Sequence, residues 1–215
     1  MKKITTYNRA VQYLNKIFKL INTEYFDDTL DMPTITIQST IGAYGHVTTS
    51  EVWETEQGNG SYELNIGADY LHRPIENIVA TLIHKSCHLY AMKNGIKDTS
   101  NRGIYHNRKF KELAEKRGLI ISKDSRYGWT ITEPSEETYK FCCEWELQEM
   151  LISRNISVTD CENGTGKGND DSQDIPVMKK GNSQKWICPC CKTIIRSTKK
   201  VNVVCGDCGV IFIRA

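Results

Sequence analysis

A chain of 215 residues, 39% hydrophobic and 25% charged, has the length for one ordinary domain plus a small one rather than a single large domain. Its formal charge of +2 hides an asymmetry: residues 1–178 carry a net −5 and residues 179–215 a net +7, so only the C-terminal piece has the composition of a polyanion binder. The opening MKKITTYNRAVQYLNK is broken by polar residues before any apolar run of signal-peptide length. Nothing approaches the ~20 apolar residues of a membrane span, which predicts a soluble, cytoplasmic chain with no membrane partner.

Apolar residues Val11, Leu14, Phe18, Ile21 and Tyr25 recur at three- and four-residue steps and predict an amphipathic helix from Tyr7 to Phe26, stopped by Asp27, Asp28, Asp31 and Pro33. Thr34-Ile35-Thr36-Ile37-Gln38 alternates as a strand does. Ile41 to Val47, with Gly42 and Gly45, reads as a turn into another strand, and Tyr62 to Ile66 as a third. Arg73-Pro74 suits a helix start. Ile75 to Met92 then carries Ile78, Val79, Leu82, Ile83, Leu89 and Tyr90 on an apolar arc closed by Asn94-Gly95. Lys97 to Gly103 reads as a polar loop, with His106 at the entrance to a helix from about Asn107 to Arg117 that Gly118 ends. A last helix is predicted over Glu136 to Leu151. From Asp160 to Gln184 periodicity disappears and Gly, Asn, Asp and Ser dominate, the composition of a flexible linker.

His84 and His88 lie four apart on the predicted helix, so both imidazoles point the same way and can grip one metal ion. His106, eighteen residues beyond His88 after a polar loop, is the best third ligand. Three neutral nitrogens would leave the fourth position of a zinc ion open to water, as catalytic sites require. The plainer reading of the pair alone is coincidence on a half-buried helix face. His46 and His72 read as ordinary loop or surface histidines, and Cys87 as a core residue, because its helical angle points away from His84 and His88. Cys142 and Cys143 read as buried small hydrophobes on the last helix.

Several motifs occur in a telling order: the helix end Tyr25-Phe26, Leu30, Pro33 to Ile37, the Gly42-Ala43-Tyr44-Gly45 turn, Leu64-Asn65-Ile66, Leu82-Ile83-His84-Lys85-Ser86-Cys87-His88, and Tyr105-His106-Asn107-Arg108-Lys109-Phe110. In these the chain resembles the SprT-like family, which includes the Spartan-type proteases that act on DNA-bound proteins. The resemblance spans about Tyr7 to Trp129 and the C-terminal ribbon. It implies a zincin-like metallopeptidase core with His84, His88 and His106 as zinc ligands.

One position departs from the family pattern. Where its H-E-x-x-H motif has glutamate, this chain has Lys85, giving H-K-S-C-H. The glutamate takes a proton from zinc-activated water and delivers it to the leaving amine, whereas a protonated lysine has three donors and no acceptor. It also puts positive charge beside a dication. Three readings stay open: a natural pseudo-enzyme, an inactivating change or sequence error at this position, or a neutral Lys85 acting as an unusual base. Glu63 and Glu76 do not sit where the motif places the base and read as solvated or structural.

Nine cysteines, odd in number and unevenly clustered, suit metal binding in a reducing compartment better than a disulfide framework. Cys188-Pro189-Cys190-Cys191 and Cys205-Gly206-Asp207-Cys208 form two C-x-x-C pairs separated by thirteen residues, spacing that closes a tetrahedral zinc site. Cys190 is a surplus sulfur, and the repeat of the Cys205 to Cys208 step favours Cys191. With short strands at Ile194 to Arg196, Val201 to Val204 and Val210 to Ile213, the segment reads as a zinc ribbon. Lys192, Arg196, Lys199 and Lys200, with Trp186 as a stacking contact, would suit nucleic-acid phosphates and bases.

The expectation is an α+β chain: a zincin-like domain over 4–155 with an N-terminal helix, a small mixed sheet and an H-x-x-x-H helix, a linker over 156–184, and a small β zinc ribbon over 185–215. The resemblance implies a zinc metallopeptidase acting on protein substrates, DNA-associated ones among them, with hydrolysis impaired at Lys85. The alternative is a non-catalytic, zinc-stabilised module that binds DNA or a protein partner.

Overall fold

The structure, a computed structural model, describes residues 3–154 apart from 41, 55 and 57, and residues 184–214 apart from 198. The chain divides into two compact units, Met1–Ile175 and Pro176–Ala215. The predicted linker lies, except for Gln184, outside the described residues. Among the described residues the fold is mixed α+β, with four α-helices and several small sheets, and no helix is long and apolar enough to cross a membrane.

In the first unit, α1 (Tyr7–Phe26) buries Ala10, Leu14, Ile17, Phe18 and Ile21 along one stripe and leaves Val11 and Tyr25 half-buried. Asp27 and Asp28, at φ 52° and 55°, end it in the left-handed region. β1 (Thr34–Gln38), β2 (Gly45–Val47) and β5 (Glu63–Gly67) form a sheet in the order β1-β5-β2, with β1 parallel and β2 antiparallel to β5. A short hairpin of β3 (Trp53–Glu54) and β4 (Gly60–Ser61) precedes β5.

The centre of the unit is α2 (Ile75–Lys93). It is buried on nearly every side from Ile78 to Leu89, with α1, α3 (Arg108–Glu115), α4 (Glu136–Glu144) and strands of both sheets packed around it. A helix enclosed this way must be apolar all round, so His84, Lys85 and His88 are conspicuous within it. Gly95, at φ 63°, closes it as predicted: Gly95 N donates to Met92 O and Ile96 N to Ala91 O.

The second sheet runs β6-β7-β9-β8, from β6 (Thr99–Ser100), β7 (Tyr105–His106), β9 (Gly128–Pro134) and β8 (Leu119–Asp124). Two expectations change here. Thr99–Ser100 pairs as a strand inside the predicted loop, and His106 lies in β7 rather than at a helix entrance, because Asn107 takes the capping position: its Oδ1 accepts from Lys109 N and Phe110 N. The final helix is also shorter than predicted. It stops at Glu144 because Glu146 turns to φ 46°, with Glu146 N donating to Cys143 O and Leu147 N to Cys142 O. Cys142 is buried as expected, while Cys143 is exposed on the solvent side of that helix.

In the second unit, β10 (Gln184–Ile187) lies between β11 (Ile194–Ser197) and β12 (Ile213–Arg214), antiparallel to both. Its small core is Trp186, Cys188, Cys205 and Phe212. The strand predicted over Val201 to Val204 reduces to a single bridge between Val204 and Ile211.

Candidate metal centres

Among the described residues, two groups bring ligand atoms within 4.8 Å of one another: His84, His88 and His106, and Cys188, Cys191, Cys205 and Cys208. They are the two sets expected from the sequence.

His84 and His88 come from one face of α2, a turn apart. His106 is brought to them by β7, whose backbone is fixed by His106 N donating to Tyr127 O at 2.9 Å and by pairing with Gly128. A Cβ at Gly128 would lie 2.2 Å from the His106 carbonyl oxygen, and its φ is 77°, so this close approach requires glycine. The three Nε2 atoms converge: His106 Nε2 is 3.3 Å from that of His84 and 3.1 Å from that of His88. Phe110 floors the group, its ring centroid 4.4 to 4.7 Å from all three imidazoles.

The outer nitrogens set the tautomers. The Thr132 hydroxyl gives its only hydrogen to Thr130 O at 3.0 Å, so it accepts from His84 Nδ1–H at 2.7 Å, and the lone pair of His84 is left on Nε2. His88 Nδ1 meets Asp98 Oδ2 at 2.5 Å, with the same consequence. Asn107 ties these parts together, since its N–H donates to Asp98 O and it follows His106 directly. Asp98 and Thr132 were not singled out in the sequence. Asp98 sat in an apparent polar loop and Thr132 in an unpredicted strand.

All three imidazoles are buried, and burial is the main reason their pKa values fall. His84 drops well below 6.5, with Lys85 adding to the effect, and His88 is lowered in spite of Asp98. His106 is pushed down to about 2 by burial, His88 and Lys85. Neutral imidazoles with inward lone pairs are what a metal ion requires of its ligands. Removing the outer partners is expected to loosen this set: Asp98→Asn or Thr132→Val should weaken metal retention ~10–100-fold, read by competition with a chelating dye.

Lys85 is buried with its neighbours, only 1% exposed, and burial pulls its pKa from 10.5 down to about 7. The unfolded chain keeps this proton up to about pH 10.5 and the folded chain only to about 7. Unfolding therefore takes up a proton between those values, and stability falls as pH drops through that window. Relative to Lys85→Met, in which the raised thiols of Cys87 and Cys142 act equally, the metal-free parent is expected to lose roughly 2–3 kcal/mol of stability from pH 9 to pH 7, read from melting temperatures. An unchanged slope in that variant would assign the effect elsewhere.

Cys87, His72 and Glu63 take the quieter roles expected of them, whereas His46 lies partly buried in β2 and not in a loop or on the surface. Cys87 is fully buried, its thiol pushed up to about 12 by burial, and His72 is exposed. Glu63 accepts from the Thr36 hydroxyl and the Trp53 indole, both at 2.9 Å. His46, on β2, is lowered by burial and by the charge of Lys85.

The cysteine group is built from two equivalent knuckles. Cys188 N donates to Thr193 O and Lys192 N to Cys188 O; in step with these, Cys205 N donates to Val210 O and Gly209 N to Cys205 O. The residue after each second cysteine, Lys192 and Gly209, has φ 64°. This equivalence pairs Cys191, not Cys190, with Cys208. Cys191 Sγ lies 3.7 Å from Cys205 Sγ, and hydrogen bonds from Thr193 pull its thiol down to about 6. Lys192, Arg196, Lys199 and Lys200 are exposed as a phosphate contact would need. Trp186 is not available for stacking: it is 6% exposed, because the ribbon has little else with which to fill its core.

No protein-family model matches the chain, and no curated protein matches it.

Proposed function

We propose that the chain is a SprT-like, metallopeptidase-type protein that binds two zinc ions and whose peptide-bond hydrolysis is impaired by Lys85. The observation that carries this reading is the convergence of three neutral Nε2 atoms at 3.1 and 3.3 Å, with a buried lysine next to His84. Zinc–nitrogen bonds of about 2.0–2.1 Å in a tetrahedral arrangement put ligand nitrogens roughly 3.3 Å apart. Zinc–sulfur bonds of about 2.3 Å put sulfurs roughly 3.8 Å apart, close to the Cys191–Cys205 separation. His84, His88 and His106 would hold one ion and Cys188, Cys191, Cys205 and Cys208 the other. At the open three-ligand site zinc would supply Lewis acidity toward water and a peptide carbonyl.

What this chain's residues would do there follows from the outer hydrogen bonds. Asp98 and Thr132 hold the imidazoles in register, Phe110 closes the underside, and Lys85 occupies the position from which a carboxylate would move the proton. A buried lysine supports the second reading as well, a zinc-stabilised binding protein that keeps a metallopeptidase shape. Recruitment to nucleic acid through the ribbon would rest on its lysines and arginine alone, since Trp186 is buried.

The test is elemental analysis of the purified chain together with hydrolysis of an unstructured protein, with and without DNA, for the chain and for Lys85→Glu. Two zinc ions per chain, with activity appearing in the glutamate form, is the expected result. Two zinc ions and no hydrolysis in either form would favour the binding protein. Equal activity in both would refute the role given to Lys85.

A further inference from the structure

The ribbon sheet has two faces of different character. Trp186 and Ile195 pair across β10 and β11 and, with Phe212, point into the small core around Cys188 and Cys205. One step along, Ile194, Ile187 and Ile213 form a row across all three strands, and side-chain alternation puts this row on the opposite face. Ile211 stands two residues before Ile213 with buried Phe212 between them, so it joins that face, and Val204 is bridged to Ile211. Ile194, Ile211, Ile213 and Val204 are 50–56% exposed, and Ile187 is half-buried. Lys185 and Arg196, paired with each other two residues from Ile187 and Ile194, border the same face.

Five aliphatic side chains together on so small a unit make a patch on the order of a few hundred Å², a size that marks interaction sites on soluble proteins. Their exposure has no structural benefit to the ribbon, whose core lies on the other side. We propose that this outer face docks a partner protein through a segment that alternates acidic and aliphatic side chains.

Charge and composition select that occupant. Residues 179–215 carry a net +7, with Asp207 the one acidic residue among them, so two copies meeting ribbon to ribbon would bring like charge against like. A nucleic-acid strand would find no aromatic ring on this face to stack on, because Trp186 and Phe212 are both buried, and aliphatic carbons offer nothing to base edges or phosphates. An acidic and aliphatic segment covers the isoleucines and neutralises Lys185 and Arg196 at the rim. The proposal needs the folded ribbon but not peptide hydrolysis, so it stands or falls apart from Lys85.

The experiment measures fluorescence anisotropy of a labelled peptide alternating Glu with Leu, titrated with the full zinc-loaded chain. Saturable binding is expected, weakened at least ~10-fold by Ile194→Glu and by Ile213→Glu, with zinc content retained. Should either variant lose zinc, the charge reversals Lys185→Glu and Arg196→Glu decide, since both residues lie at the rim outside the core. Together they should abolish binding of the Glu–Leu peptide and favour its Lys–Leu counterpart. Equal affinity of the parent chain for both peptides would overturn the proposal, as would binding untouched by these substitutions. So would a single-stranded oligothymidine, or a dimer seen in sedimentation, that is lost on Ile194→Glu or Ile213→Glu.

Discussion

Replacing Lys85 by glutamate is expected to raise hydrolysis of an unstructured protein by ~10²–10⁴-fold, the usual contribution of a positioned general base. The effect has two sources. The first is chemical: in its protonated form Lys85 has no lone pair with which to take a proton, and a carboxylate at the same place has several. The second is electrostatic. The charge of Lys85 contributes to the lowered pKa values of His84, His88, His106 and His46, so a cation at this position opposes any further positive charge in the pocket, a metal ion included. The glutamate variant should therefore also hold its histidine-site metal more tightly, which separates the two sources experimentally. If neutral Lys85 were itself the base, the parent would be the active form. Its rate would rise with pH through about 7, and the glutamate variant would gain nothing.

On the proposed function, stripping metal from the Cys188, Cys191, Cys205 and Cys208 group is expected to unfold the second unit while leaving the first folded. Four buried residues make up the ribbon core, and two of them, Cys188 and Cys205, are proposed ligands. Trp186 and Phe212 are the large side chains of that core, too little apolar burial to hold so small a unit together by itself, so a metal tying the two knuckles together would supply the missing folding free energy. Cys205→Ser, or a strong chelator, should abolish amide protection across the ribbon in hydrogen exchange, with α1 and α2 still protected. A ribbon that kept its protection without metal would refute the clamp.

Much of this architecture was legible where local pattern and tertiary role coincide. The steps from Leu14 to Phe18 to Ile21 give α1 with its observed ends, and Thr34 to Gln38 alternate as β1 does. The His84 and His88 pair and the two cysteine pairs follow from spacing, because side chains that could hold one ion must share a side, while His106 was reached as the histidine opening the next element and reaches the pair from β7 instead. The rest depended on partners distant in sequence. Thr132 orients His84, forty-eight residues earlier, and nothing local in Gly128–Pro134 signals that bond. Asp98 looks like any polar loop residue until Asn107 ties its backbone beside His106. The last helix failed for a different reason: a glutamate in the left-handed region, Glu146, is a stop that composition does not announce. Trp186 was misassigned because an aromatic near lysines suggests stacking, whereas a core of four residues needs every large side chain it has.

The matched turns at Lys192 and Gly209 mean that the ribbon is two copies of one half-site, tethered by thirteen residues that keep each half at high effective concentration for the other. The tether, more than either half, makes the clamp intramolecular. A chain deprived of one knuckle keeps a competent half with two thiols and an unmet demand for two more. Such a chain is expected to share one ion between two molecules, so that damage to a single cysteine pair would produce a metal-bridged pair of chains whose population rises with protein concentration.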